Sequence, residues 1–174
     1  DAMTHFARAL GAARNGDAAS AKTDVERLAA LRDSLKGKDE YWEKEIEIQR
    51  LSAAAWVAKA DGNQEQALAL MRSAAELEDG TEKSAITPGP LAPARELLGE
   101  LLLELGQPRP ALAEFGKNLE REPNRFRSVH GAARAAALAG DQAKARKYYE
   151  QLLQICAKDD TQRTELQEAR EAVG

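Results

Sequence analysis

Along most of this chain apolar residues return every three or four positions, with polar residues filling the rest of each turn. Residues 18–36 show the pattern plainly: Ala21, Val25, Leu28, Leu31 and Leu35 form one stripe of an amphipathic helix. The same reading predicts helices over 2–14, 40–60, 64–78, 93–105, 108–121, 125–139, 142–157 and 161–172. Asn15-Gly16, Lys36 to Asp39, Asp61 to Asn63, Gly106, Pro123-Asn124 and Gly140-Asp141 punctuate them. Asp17 is placed to cap the second helix, Asn63 with Gln66 has the spacing of a capping box, Asn124 is a candidate cap, and Asp159 or Asp160 can cap the last helix. Pro93 and Pro108 stand where a first helical turn tolerates proline. Between Asp79 and Pro90 the periodicity vanishes and Gly80, Pro88, Gly89 and Pro90 cluster, which predicts the one real loop.

The segments repeat. Gly106 and Gly140 are 34 residues apart, as are Ala111 and Ala145, and Phe115 and Tyr149. Gly62, Ala67 and Met71 reproduce the intervals upstream, and Gly16, Ala21 and Val25 do so more weakly. Two antiparallel helices approach closely only where small residues sit at their crossing, which Ala111 and Ala145 supply, and a glycine after the first helix permits a left-handed stop. The mid-hairpin glycines lie 46 and 44 apart in the first half of the chain, so about ten extra residues stand at each of those junctions.

Leu98-Gly99, Gly106, Ala111, Phe115 and Pro123 in one block, and Ala133, Gly140, Ala145 and Tyr149 in the next, resemble the tetratricopeptide repeat (TPR), a 34-residue helix–turn–helix. Arg95 stands where that family often has Trp, Asn118 where it favours Ala, and the second block ends on Ala157 rather than proline. More narrowly, TPGPLAPARELLGELLLELGQP and EPNRFRSVHGAARAA are similar to the C-terminal part of longer bacterial TPR proteins of unassigned function. The resemblance implies an all-α, right-handed α-solenoid in a single domain, 1–174. Its repeats fall at about 2–35, 48–81, 92–125 and 126–159, with a capping helix at 160–172.

It also implies a concave groove lined by the first helix of each hairpin, holding a protein or peptide segment. The groove-facing positions fall on Met3, Phe6, Leu10, Ala13 and Arg14, then on Gln49, Ser52, Trp56, Lys59 and Ala60. In the later repeats they fall on Pro93, Glu96, Glu100, Leu103 and Glu104, then on Arg127, His130, Arg134, Ala137 and Leu138. Phe6, Leu10, Ser52 and Trp56 stand where chaperone-binding relatives carry a carboxylate clamp, so no such clamp is expected. Trp56 is either an anchor for an apolar or mixed peptide or part of the core. Glu96 and Glu100 face Arg127 and Arg134 as groove charges or as an ion-pair network between repeats. Tyr41 and Trp42 either cover the first hairpin or form a partner patch.

Composition narrows the chemistry. Aromatics are 5% of the chain and β-branched runs are absent, which favours helix. Twenty-five basic against twenty-nine acidic residues, mixed along the chain, disfavour nucleic-acid binding, and no apolar run approaches the roughly 20 residues of a membrane span. Cys156 is the one cysteine, so no intrachain disulfide forms, and its place on the stripe with Leu152 and Leu153 predicts a small buried hydrophobe. A single thiol is tolerated in bacterial cytoplasm or periplasm, which leaves the compartment open. His5 and His130 lack ligands at metal spacing, and no phosphate loop or nucleophile motif occurs, so the expectation is a non-enzyme without metal or cofactor. The Glu96/Glu100 pair and Glu43, Glu45 and Glu47 read as solvated helix faces. Asp1 follows no initiator Met, which points to a mature form or an excised fragment. The leading expectation is a non-catalytic binding scaffold or adaptor, with homo-oligomers possible through exposed helix ends. The alternative is a purely structural region of a larger protein, an enzyme or assembly factor, with no ligand site of its own.

Overall fold

A computed structural model of the chain describes residues 1–82, 90–158 and 162–174, and among them every regular element is an α-helix. The nine described helices are α1 (Ala2–Arg14), α2 (Ala18–Leu35), α3 (Glu40–Ala60), α4 (Gln64–Asp79), α5 (Ala94–Glu104), α6 (Pro108–Arg121), α7 (Phe126–Leu138), α8 (Gln142–Ile155) and α9 (Thr164–Val173). The extra residues at the first junction lengthen α3 at its start, making it 21 residues long. Residues 83–89 of the expected loop lie outside the described residues.

Four turns are built alike. After α5, Gly106 takes φ +70° and its N–H bonds Leu103 O at 3.0 Å while Gln107 N bonds Leu102 O at 2.9 Å. After α7, Gly140 takes φ +84° and the same two bonds recur to Ala137 and Ala136. A side chain at either position would strain the backbone, whereas glycine enters this region freely. The turns at Gly16 and Gly62 repeat the bond pair, so the register read from spacing is a register of hydrogen bonds.

The residue after each glycine starts the next helix. Asp17, Asn63 and Asp141 accept from the backbone N–H three residues on, at 3.0, 3.1 and 3.0 Å, while Gln107 makes no such bond and is followed by Pro108. Asn63 Nδ2 also donates to Gln66 Oε1 at 3.1 Å, a side-chain version of the expected capping box. Two expected caps differ. Arg125 rather than Asn124 is the N-cap of α7, and Arg163 that of α9; neither caps through its side chain. Asp159 and Asp160 lie outside the described residues.

The chain packs as two compact units, residues 1–98 and 99–174. In the first, α1, α2, α3 and α4 pack in sequence with α1 also against α3, burying Phe6, Leu28, Ile48, Trp56 and Met71. Each such side chain contributes roughly 1.5–3 kcal/mol on burial. The chain leaves α4 through a carboxylate grip: Glu78, buried, accepts from Ala94 N at 2.7 Å, and Asp79 takes Arg95 Nε at 2.8 Å. Arg95, the departure from the usual tryptophan, is thus held by a charge.

In the second unit α6 packs on α7, α7 on α8 and α8 on α9. Val129, Ala133, Ala136, Ala145, Tyr149, Leu152, Leu166 and Ala169 form its core, and α9 covers that core with Leu166 and Ala169. Phe115 is fully buried, and a Cβ built on Gly99 or Gly131 would meet its ring at 2.8 or 2.4 Å. Asn118, where the family favours Ala, is buried and donates from Nδ2 to Ser128 Oγ at 2.8 Å. Cys156, the C-cap of α8, is only half-buried and packs against the edge of this core.

Candidate functional site

The groove-facing positions separate by environment. In the first unit Phe6, Ser52 and Trp56 are 2%, 1% and 1% exposed, and Glu96 is fully buried. These four offer almost no side-chain surface to a partner in this arrangement, and of the two readings of Trp56, anchor or core, its burial favours the core. Gln49, Leu10 and Lys59 are half-buried. Trp56 belongs to the core: the Arg14 guanidinium lies 4.1 Å and Lys59 Nζ 5.5 Å from its ring centroid, cation–π distances that place charge where a ligand would stack. Phe6, Ile48, Gln49 and Ser52 also line a cavity of about 20 Å³ whose wall includes Pro90, Leu91 and Ala92.

In the second unit the face of α7 stays open. Arg127, His130, Arg134 and Leu138 follow one another at three- and four-residue spacing and so share a side of the helix. The side chains of Arg127 and Arg134 are 53% and 52% exposed, and Leu138 is 63% exposed. Arg127 Nη2 donates to Glu100 Oε1 at 2.7 Å, the expected ion pair between successive repeats. Arg134 turns instead toward Glu168 on α9, at 3.8 Å.

Glu168 is the centre of this cluster. Tyr149 Oη donates to its Oε1 at 2.7 Å and His130 Nε2 to its Oε2 at 2.8 Å. Burial pushes the Glu168 carboxyl upward, but these two hydrogen bonds and the charges of His130 and Arg134 hold it below its ordinary range. Burial, then the bond to Glu168, pushes the Tyr149 hydroxyl above its ordinary range, so it remains a donor. The arrangement fixes α9 against α7 and α8.

Several polar residues that organise the molecule carried no motif. Asp24 is buried, with His5 Nδ1 at 2.7 Å and Arg8 Nε at 3.3 Å. Its signal was a carboxylate on the apolar stripe between Ala21 and Leu28. Glu47, read as part of a solvated face, takes Arg32 Nη1 at 2.6 Å and Arg50 Nη2 at 2.7 Å, tying α2 to α3. Burial raises its carboxyl, and the bonds from Arg50 and Arg32 more than reverse that. Trp42 is 44% exposed, with Tyr41 edge-on at 5.2 Å. No described helix is long and apolar enough to cross a membrane.

No family profile matches the chain, and no curated protein matches it either. Among solved structures it resembles two crystal structures of a candidate kinesin light chain from Podosopora anserina with nearly identical TPR-like repeats. Each superposes with a TM-score of 0.67 at 19% identity, over 98% of this chain and 82% of that one. At that identity the likeness establishes the fold: an all-α, TPR-like array of paired helices.

Proposed function

We propose that this chain is a non-catalytic module that binds a protein or peptide segment along the face of α7. The supporting observation is the run of Arg127, His130, Arg134 and Leu138 on one side of that helix, with more than half of both arginine side chains and of Leu138 left to solvent. TPR-like arrays generally serve protein binding through their first helices, and arginine is among the residues that dominate interface energetics. Positive, donor-rich side chains beside an exposed leucine suit a segment that pairs an acceptor group with an apolar residue.

The test is a displayed peptide library panned on the chain, with affinities of the enriched peptides measured by fluorescence anisotropy. The Arg127→Ala/Arg134→Ala double variant is expected to bind them at least tenfold more weakly. Undiminished affinity contradicts the α7 site. A second reading is a structural region with no ligand of its own, favoured by the pairing of Arg127 with Glu100 and of His130 with Glu168. It predicts no saturable binder.

A further inference from the structure

We infer that the α7 face takes an uncharged segment, one that pairs an amide or carbonyl acceptor with an apolar residue, and that Glu168 makes it reject acidic segments. The inference rests on the proposal that α7 binds a segment, and it names the chemistry of that segment. Arg127 and Arg134 give the face its exposed cations, yet each already lies beside a carboxylate. Arg127 Nη2 donates to Glu100 Oε1 at 2.7 Å, and Arg134 Nε stands 3.8 Å from Glu168 Oε1. Glu168 is fixed in place, because Tyr149 Oη and His130 Nε2 bond one oxygen each at 2.7 and 2.8 Å. Burial pushes its carboxyl upward and those bonds more than reverse that, so it is charged at neutral pH. The chain thus carries its own carboxylate beside the arginine that an acidic partner would seek.

The surroundings extend the same sign. Glu165, Glu168 and Glu171 follow at three-residue spacing along one side of α9, and with His130, Thr164 and Gln167 they line a cleft of about 410 Å³. Glu165 has Arg163 at 4.0 Å, whereas Glu171 is exposed and pairs with nothing among the described residues. A carboxylate brought to Arg134 meets these like charges, and a lysine brought to α7 meets the two arginines. An uncharged acceptor meets neither. At 3.8 Å Arg134 makes no hydrogen bond to Glu168, so its N–H groups can serve a backbone carbonyl or an Asn or Gln amide. Leu138, 63% exposed at the end of the same stripe, takes the apolar residue. Built-in repulsion of this kind is how a surface separates one partner from another.

The test pans three peptide libraries on the chain at neutral pH. They share their apolar positions and differ in the polar ones, which are Asn, Gln, Ser and Thr, or Asp and Glu, or Lys and Arg. The uncharged library is expected to yield binders that weaken on Arg127→Ala/Arg134→Ala. Exchanging their Asn or Gln for Asp or Glu, nearly the same shape with a charge added, is expected to weaken binding roughly tenfold. Glu168→Gln is expected to erase that preference. Glu171→Gln, at an exposed and unpaired site, is expected to shift it in the same direction without disturbing α9. Tyr149→Phe removes a hydrogen bond to Glu168 but keeps every charge, and is expected to leave the preference unchanged. Acidic versions that bind the unmodified chain as tightly as the uncharged ones overturn the inference and leave the α7 reading standing. A preference that neither glutamine variant moves, or that Tyr149→Phe moves as far, also overturns it. Binders from every library that ignore the two arginines sink the α7 reading itself.

Discussion

Phe115 explains two glycines at once. Its ring lies against the backbone at Gly99 and Gly131, and the 2.4 Å approach to a Cβ on Gly131 is far inside any real contact. Gly131→Ala is therefore expected to destabilise the chain by roughly 1–3 kcal/mol through overpacking, read from urea unfolding. Gly11→Ala is the counterpart: it lies within α1, nothing stands within 4 Å of its added Cβ, and it is expected to stabilise by roughly 0.5–1 kcal/mol. Equal effects at the two positions would show that the Phe115 contact is misplaced. Glu168 adds a pH dependence. Its folded pKa is depressed below the ordinary 4.5, so its stabilising contribution is present above the unfolded pKa and lost as pH falls through the folded one. Glu168→Gln is expected to lower stability at neutral pH and to converge with the unmodified chain in acid, as followed by denaturation between neutral pH and about pH 3.

Among elements, the start of α5 depends on a residue sixteen positions away. Ala94 N is buried and bonded to Glu78, so Glu78→Ala leaves a buried donor unmatched and is expected to cost about 1–3 kcal/mol. Hydrogen exchange locates the effect: the amides of Ala94 to Leu97 should lose protection ahead of those in α7. Uniform loss across the chain would contradict a local cap. The helices and their glycine turns were legible in the sequence because both are local, set by stripe periodicity and by the backbone angle that glycine permits. The Glu78 cap was not, because it joins groups separated by a stretch without periodicity. Asn124 misled for a related reason: a residue suited to capping stood one position ahead of the N-cap that α7 adopts.

For the whole molecule, the repeat phase located the first-helix faces but not which of them is open. Trp56 and Phe6 occupy groove-facing positions by phase and are buried, since burial depends on what neighbouring elements place over a face. At Trp56 that is Arg14 and Lys59, and at Phe6 it is a cavity wall that includes residues 90–92. On α7, Arg127, Arg134 and Leu138 keep half or more of their surface, and the proposed site rests on them. The most direct measurement is an NMR titration of the chain with a panned peptide. Saturable shifts concentrated on the amides of residues 127–138 are the expected result. Shifts centred on the second helices of the hairpins, α2, α4, α6 or α8, would contradict the account.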